Sequence, residues 1–127
     1  MRVLKQGVVM RIGTDIQEVS RIKKAMEVDS FVSRILHPSE EDYVMKFKNS
    51  EAHIAGFFSA KESVMKALED CKRISFKDIK ITHNELGAPK VELYGEAKRV
   101  FDALNAKEIL VSISQTGTYA TAMCVIN

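Results

Sequence analysis

The chain has 127 residues, of which 46% are hydrophobic and 28% charged, and its formal net charge is +2. This length and balance predict one folded domain over residues 1–127 with a buried core, and they argue against a disordered chain. Aromatic residues make up 7% and tryptophan is absent, so stacking of nucleic-acid bases is not favoured. No apolar run is long enough to cross a bilayer. We therefore expect no nucleic acid and no membrane among the partners.

The cysteines and histidines show no metal-binding pattern. Cys71 and Cys124 lie far apart and form no C-x-x-C motif, and the three histidines have no zinc spacing. The N-terminus lacks the apolar core of a signal peptide, so we expect a cytoplasmic protein with reduced thiols. Met10 is a candidate alternative start, because the first nine residues form no obvious element.

Hydrophobic spacing and turn residues predict the elements of the first half of the chain. Apolar residues recur at strand or helix spacing, and Gly, Pro, Ser and Asp mark the ends of the elements. In chain order, the predictions are a strand over residues 8–13 that ends at Gly13-Thr14-Asp15, a helix from Ile16 to Met26, a short helix capped by Asp29-Ser30 that runs to Leu36, a helix that starts at Pro38 with Ser39 and Asp42 at capping-box spacing, and a long helix from about Glu51 to Glu69.

The second half is predicted to be richer in strands. Its predicted elements are a short strand centred on Ile79-Lys80-Ile81, a turn over residues 84–89, a strand at Val91-Glu92-Leu93, a helix from Gly95 to Asn105, and strands at Ile109–Ser114 and Tyr119–Ile126 with a tight connection over residues 115–118. Strands that follow each other directly favour antiparallel pairing. The fold class is therefore predicted as α+β, with helices packed on a mainly antiparallel sheet.

The long helix carries a charge on its apolar face. The residues of that face, at helical spacing, are Ile54, Phe57, Phe58, Val64, Met65 and Leu68. At about 100° per residue, Lys61 points into the middle of this face, and a buried lysine is costly without a partner. We expect Lys61 to be a buried support that orients a carboxylate or a backbone carbonyl behind a site. Glu62 and Lys66 lie one turn apart on a flank of the same helix.

Three segments are candidates for parts of one site, although each has an ordinary structural explanation. Asp15 could simply cap a helix, and Glu62 and Lys66 could form a solvated ion pair. Ser112 and Ser114 could line the solvent-exposed face of a strand. Together they supply two carboxylates, cations and hydroxyl donors. Asp15 and Glu62 would suit Mg²⁺, which prefers hard oxygen ligands and substrate phosphates.

The order and separation of several short motifs is more specific than any one of them. These motifs are Gly13-Thr14-Asp15-Ile16 with Glu18 and Arg21, Arg34-Ile35-Leu36 with Pro38 and Glu40, Phe58-Ser59-Ala60-Lys61-Glu62 with Lys66-Ala67, Gly87-Ala88-Pro89, Val111-Ser112-Ile113-Ser114, and Tyr119-Ala120. The combination resembles the holo-[acyl-carrier-protein] synthase family, the small bacterial phosphopantetheinyl transferases. The resemblance runs from about Met10 to Ile126.

This resemblance implies the 4′-phosphopantetheinyl transferase fold and a role in fatty acid biosynthesis. The implied reaction transfers 4′-phosphopantetheine from coenzyme A to a serine of apo acyl carrier protein and releases adenosine 3′,5′-bisphosphate. The family forms homotrimers with the site between subunits. The implied site residues are Asp15 and Glu62 for Mg²⁺, Glu62 and Lys66 for catalysis, Lys66, Gly87, Pro89, Ser114 and Gln115 for substrate binding, and Arg21 and Lys24 for the acidic carrier protein.

Two positions depart from the family pattern. Gln115 stands where family members commonly carry histidine, and Phe57 where many carry a basic residue. Because glutamine takes up no proton near neutral pH, Glu62, directly or through water, is the best candidate base for the carrier-protein serine. The same departures keep an alternative open: a non-catalytic protein of this fold that binds coenzyme A or another nucleotide. His53 and His83 belong to no motif.

Overall fold

The computed structural model describes residues 3–4, 8–70 and 72–127, and these residues form seven strands and five α-helices. In chain order they are β1 (Val3–Leu4), β2 (Val8–Val9), β3 (Arg11–Glu18), α1 (Val19–Ala25), α2 (Phe31–Ile35), α3 (Pro38–Val44), α4 (Ser50–Leu68), a 3₁₀ turn (Phe76–Asp78), β4 (Ile79–His83), β5 (Pro89–Leu93), α5 (Gly95–Ala103), β6 (Ile109–Gln115) and β7 (Tyr119–Ile126). Cys71, one of the two thiols considered above, lies outside the described residues.

A three-stranded antiparallel sheet in the order β3-β7-β6 forms the base of the fold. The central strand β7 pairs with β3 from Arg11 opposite Ile126 to Glu18 opposite Tyr119, and with β6 on its other edge. Strands β4 and β5 form a separate antiparallel hairpin. The predicted α+β class with antiparallel pairing is confirmed.

Helix α4 lies across one face of this sheet and contributes the largest share of the core. Of its 19 residues, 13 are buried, so the helix is enclosed on most sides rather than along a single stripe. The sheet meets it with the small buried side chains Ala120, Ala122 and Cys124 of β7. Burial raises the pKa of the Cys124 thiol to about 12, so this cysteine packs as a hydrophobe rather than acting as a nucleophile.

The predicted boundary between the first strand and the first helix is wrong. Strand β3 continues through Asp15 to Glu18, and α1 begins only at Val19. The reason is the pairing with β7, which supplies ladder hydrogen bonds along the whole segment and overrides the helical spacing of the apolar residues. Ile16, assigned to the buried face of a helix, is 64% exposed on the far side of the sheet. Asp15 is therefore a strand residue and caps no helix.

Helix α3 starts at the predicted proline but is capped differently. His37 occupies the position before the helix, and its backbone N–H donates to the Glu40 carboxylate at 2.7 Å. The prediction that Ser39 and Asp42 form the capping box is wrong, because both already lie within the helix. The first nine residues were expected to add no element, and the strand to run unbroken over residues 8–13. Instead Val8–Val9 pairs with Val3–Leu4, and β3 starts separately at Arg11.

The remaining elements lie close to their predicted ranges. In the turn before β5, the Asn84 side chain accepts hydrogen bonds from the backbone of Leu86 and of Ala88, both at 2.9 Å. Gly87 there has φ +85°, a left-handed conformation that glycine adopts without strain.

Strand β3 and helix α4 make their closest approach at Gly13. A methyl group at this position would overlap the Ser63 carbonyl oxygen and lie 2.7 Å from the Ala67 nitrogen. We expect Gly13→Ala to lower the free energy of unfolding by about 1–3 kcal/mol or more, because the helix must move off the strand. The matched control is Gly117→Ala, since Gly117 has no atom within 4 Å of an added methyl group and should change stability by less than about 0.5 kcal/mol. Urea unfolding curves measure both, and equal stabilities for the two variants would contradict the close approach.

Candidate active site

Asp15 lies in the middle of β3 on the side of the sheet that faces α4. Its backbone carbonyl accepts hydrogen bonds from the Ser59 hydroxyl of α4 at 3.0 Å and from the Thr121 hydroxyl of β7 at 2.9 Å. These two bonds tie the helix and the neighbouring strand to the same peptide group. The position of Asp15 is therefore determined by the sheet and the long helix together.

The Asp15 carboxylate is almost enclosed and is held by two side-chain donors. One oxygen accepts from the Gln17 amide at 2.8 Å, and the other lies 3.4 Å from the Lys66 ammonium. Lys66 also donates to the Thr14 carbonyl at 3.0 Å. The Asp15 side chain is 9% exposed and the Lys66 side chain 49%, so the lysine forms the outer, solvent-facing edge of the cluster.

Glu62 belongs to the same cluster. It is half-buried, one turn before Lys66 on α4. Burial and the nearby Asp15 carboxylate raise the pKa of Glu62, and the Lys66 ammonium opposes that shift. The fold thus brings Asp15, Glu62 and Lys66 together, although the two carboxylates lie far apart in sequence.

This cluster fits a divalent cation, although it holds only two carboxylates. Two carboxylates that repel each other, one of them desolvated, leave negative charge that Lys66 only partly balances. Hard oxygen donors of this number are what Mg²⁺ takes when substrate phosphates complete its coordination. Among the described residues, no group of three or more His, Cys, Asp or Glu side chains could hold a metal by itself. A metal at Asp15 and Glu62 would therefore depend on ligands from the substrate.

Lys61 is fully buried, as its position on the apolar face predicts. Its ammonium donates to the Glu40 carboxylate at 2.8 Å and to the Ile35 carbonyl at 2.7 Å. The other Glu40 oxygen accepts from the Ile81 backbone at 2.7 Å. Burial lowers the pKa of Lys61, and the Glu40 carboxylate opposes that shift. This pair joins α2, α3, α4 and β4 behind the helix that carries Glu62.

Gln115 lies against the N-terminal half of α4, about one and a half turns or more before Glu62 and Lys66. Its side chain packs against Gly56, where a methyl group on the glycine would lie 2.5 Å from the Gln115 amide oxygen. At a rise of about 1.5 Å per residue, Gly56 and Glu62 are about 9 Å apart along the helix axis. Gln115 lines a cavity of about 240 Å³ together with Gly87 and Pro89, so three of the predicted substrate-binding residues share one wall.

The other predicted residues lie on separate surfaces. Ser114 lines a cavity of about 260 Å³ with Thr14 and Met123, on the sheet face away from α4. Arg21 and Lys24 are exposed on α1. A single chain therefore does not bring Ser114, Arg21 or Lys24 together with the carboxylates.

Sequence reasoning missed three polar residues. Gln17 donates to Asp15 and would have been found by the two-residue strand period had β3 been extended. His53 contacts Gln115 at 2.8 Å, and His83 lines the same cavity. Nothing in the local sequence around the two histidines indicates this, because they come from a helix and a strand that meet only in the fold.

Comparison with known proteins identifies the class of protein that combines this fold and cluster. The model of the 4′-phosphopantetheinyl transferase superfamily matches residues 11–124. A holo-[acyl-carrier-protein] synthase from Caldanaerobacter subterraneus subsp. tengcongensis is 47% identical over 116 residues, which is 90% of this chain and 91% of that protein. The chain belongs to the 4′-phosphopantetheinyl transferase superfamily, as its motifs predicted.

Solved structures agree with the sequence comparison. The Helicobacter pylori holo-[acyl-carrier-protein] synthase in complex with coenzyme A has a TM-score of 0.78 and 37% identity, covering 91% of this chain and 99% of its own. A holo-(acyl-carrier-protein) synthase from Bacillus anthracis, in complex with CoA (3′,5′-ADP), has a TM-score of 0.75 and 31% identity, covering 93% and 97%. In the described part of this chain, no helix has the length and apolarity needed to span a bilayer.

Proposed function

We propose that this protein transfers 4′-phosphopantetheine from coenzyme A to a serine of apo acyl carrier protein and releases adenosine 3′,5′-bisphosphate. The observation that carries the proposal is the cluster of Asp15, Glu62 and Lys66 where α4 crosses β3. Membership in a family whose solved relatives bind coenzyme A supports the same assignment. A cytoplasmic enzyme of fatty acid biosynthesis would meet both substrates.

Asp15 and Glu62 would hold Mg²⁺, which when bound supplies positive charge to the coenzyme A diphosphate. Lys66, half-exposed beside Asp15, is placed to bind a phosphate oxygen from the solvent side. Gln17 and the Asp15 backbone contacts keep the carboxylate oriented before substrate arrives. Phosphoryl transfer depends mainly on such positioning and charge balance.

Glu62 is the proposed base. The serine Oγ would attack the phosphorus that carries pantetheine and form the new P–O bond, while its proton passes to Glu62 directly or through one water. The bond from that phosphorus to the bridging diphosphate oxygen breaks, and the bisphosphate leaves with the electron pair. Burial and the Asp15 carboxylate raise the pKa of Glu62, which favours proton uptake, and a bound Mg²⁺ would oppose that shift.

Mass spectrometry tests the activity directly. Apo acyl carrier protein, coenzyme A and Mg²⁺ are incubated with the protein, and the carrier should gain the mass of phosphopantetheine. Omitting Mg²⁺ and adding a chelator should stop the gain. Bound coenzyme A without any mass gain on the carrier would support the alternative, a non-catalytic coenzyme A-binding protein.

The exposed cations of α1 are the proposed docking site for the acidic carrier protein. Arg21 and Lys24 line a shallow surface groove together with Val28, which adds an apolar contact. We expect Arg21→Glu to raise the KM for the carrier protein by about tenfold and leave the KM for coenzyme A unchanged, because charge repulsion slows docking. Lys72→Glu, at an exposed cation just after the C-terminal end of α4 that does not line this groove, is the matched control. Equal effects of the two variants would place the carrier elsewhere.

A homotrimer with its site between subunits is the proposed assembly. The sheet face away from α4 exposes Ile12, Ile16, Leu110 and Met123, an apolar surface suited to a second copy of the chain. An assembly through this face would also bring Ser114, which lies on it, next to residues of a neighbouring subunit. This supports a shared site, since the carboxylates and Ser114 are separated within one chain.

Met123→Lys tests the assembly. A lysine at this position, 54% exposed in the single chain on the central strand, should convert the trimer to monomers and abolish transfer, because its charge would be buried between subunits. Leu86→Lys, at a turn residue 94% exposed, should leave the mass in solution unchanged. Light scattering during size-exclusion chromatography measures both. A wild-type monomer with full activity would contradict a site between subunits.

A further inference from the structure

The cavity beside Gln115 contains two histidines that the transfer mechanism does not use. It has a volume of about 240 Å³ and lies between the N-terminal half of α4, the β4–β5 hairpin and the end of β6. Its lining includes Tyr43, His53, Phe57, His83 and Gln115. The two positions at which the sequence departs from the family pattern, Phe57 and Gln115, both line this cavity.

His53 is held by Gln115 in its neutral form. The Gln115 amide nitrogen lies 2.8 Å from the Nδ1 atom of His53 and 3.3 Å from its Nε2 atom. Because an amide nitrogen only donates, the ring nitrogen that it bonds must carry no proton, and the imidazole is then neutral. A second proton would turn both ring nitrogens into donors. Gln115 can still bond to the ring by rotating its amide so that the oxygen faces it, so this pair accommodates both protonation states.

Aromatic rings around the two histidines would stabilise a positive charge. His53 stacks on Phe47 with ring centroids 3.8 Å apart, and His83 stacks on Tyr43 at 4.1 Å. Phe57 lies beside this pair, with its ring centroid 5.8 Å from His83 and 5.7 Å from Tyr43. A cation over an aromatic face gains electrostatic energy, more so when it is partly desolvated. The stacked rings therefore favour a protonated imidazole once something offsets its burial.

The cavity wall supplies no negative charge of its own. The titratable groups facing the cavity are Tyr43 from α3, His53 from α4 and His83 from β4, whereas β6, β5 and the turn before β5 contribute uncharged residues. Burial lowers the pKa of both histidines, and their proximity lowers that of His83 further. No carboxylate is among the described lining residues, so an anionic ligand would provide the missing charge.

We propose that His53 and His83 form a proton-dependent anion site, in which a phosphate group of coenzyme A enters the cavity together with one proton taken from solvent onto the histidine pair. This site rests on the proposed function, which supplies coenzyme A as the ligand. Gln115 follows the protonation of His53 by rotating its amide. The affinity for coenzyme A consequently rises as pH falls from about 8 toward 6, where an unperturbed histidine titrates.

Titration calorimetry of the wild-type protein with coenzyme A tests this without any substitution. Repeating the titration in buffers of different ionisation enthalpy should reveal uptake of up to about one proton per ligand, and Kd should weaken by up to about tenfold per pH unit above the histidine pKa. Phosphate monoesters themselves titrate near pH 6 and gain charge as pH rises. The decisive comparison is therefore made between variants with the same ligand.

His53→Gln and His83→Gln are the test variants, and His37→Gln is the matched control. His37 lies before α3, where its ring contacts the Lys77 carbonyl at 2.8 Å, outside the cavity. We expect the pH dependence of Kd and the proton uptake to persist in the control and to decrease sharply in either test variant. Dephospho-coenzyme A identifies the anion: loss of the proton uptake assigns the 3′-phosphate, and its persistence assigns the diphosphate.

Two results would overturn the site. One is coenzyme A binding by the wild-type protein without proton uptake, and the other is unchanged uptake in both test variants. Each leaves the proposed transferase activity standing, because binding and transfer still occur. Absence of coenzyme A binding at every pH would instead overturn the proposed function together with the site.

Discussion

Glu62→Gln is expected to lower kcat/KM for transfer by at least about 10²-fold, the range usual for loss of a general base. The substitution keeps the size of the side chain and removes its charge and its proton acceptor. It also removes one of the two proposed Mg²⁺ ligands beside Asp15. Both losses act on the reaction step, so saturating coenzyme A, carrier protein and Mg²⁺ should not restore the rate.

The folded state should tolerate this substitution. The desolvated Glu62 carboxylate is repelled by Asp15, so replacing it with a neutral amide relieves an unfavourable interaction. We expect Glu62→Gln to unfold at the same urea concentration as the wild-type protein or a higher one. Glu51→Gln, on the first turn of the same helix, is the matched control and should retain activity. Full transfer activity in Glu62→Gln would eliminate Glu62 as the base.

The pH profile separates the two roles of Glu62. As a base it must be ionised, so kcat/KM should fall as pH decreases through its pKa, which burial and Asp15 raise above the ordinary value. Lys66 opposes that shift, and Lys66→Met should therefore move the acidic limb to still higher pH. Raising the Mg²⁺ concentration should move it to lower pH, because a bound cation favours the ionised carboxylate. If neither Lys66→Met nor the Mg²⁺ concentration moves the acidic limb of the kcat/KM profile, the group that titrates there is not Glu62.

The sequence was sufficient for the α4 part of the site but not for its partner strand. Helical spacing alone placed Lys61 inside and Glu62 with Lys66 on one flank, because a 19-residue helix buried against a sheet obeys its own period. Asp15 was recognised as a site residue but placed at a helix start. Its true environment depends on pairing with β7, more than 100 residues further along the chain, which local propensity does not reveal.

The histidine cavity shows the same limit more strongly. Gln115 was identified from its place after the Ser112-Ile113-Ser114 strand, since a motif position is a local property. His53 and His83 reach it only because α4 crosses β6 closely at Gly56 and because the β4–β5 hairpin packs on the same end of the helix. Both contacts are consequences of tertiary packing, and neither histidine has a neighbour in sequence that indicates its role.

Lys61→Met is expected to lower the free energy of unfolding by about 3–5 kcal/mol, the usual result of removing one partner of a buried ion pair. Both side chains of the Lys61–Glu40 pair are 0% exposed. Methionine would fill most of the space but leave the Glu40 carboxylate charged in an apolar environment and the Ile35 carbonyl without its donor. Urea unfolding curves measure the loss. Normal stability with lost transfer activity would instead make Lys61 part of the reacting site.

The double variant Lys61→Met/Glu40→Gln distinguishes a broken ion pair from poor packing. Its second substitution removes the unpaired charge, while the amide oxygen that it introduces can still accept from the Ile81 backbone, which donates to Glu40 at 2.7 Å in the wild-type protein. If Lys61→Met destabilises the protein mainly by leaving the Glu40 carboxylate unpaired, the double variant should be more stable than the Lys61→Met single variant, even though it carries one more change. A second substitution that restores stability lost to the first shows that the two sites are strongly coupled. Losses that simply add would show that Lys61 stabilises the fold through its packing and its carbonyl bonds, and that Glu40 tolerates burial through its backbone donors alone.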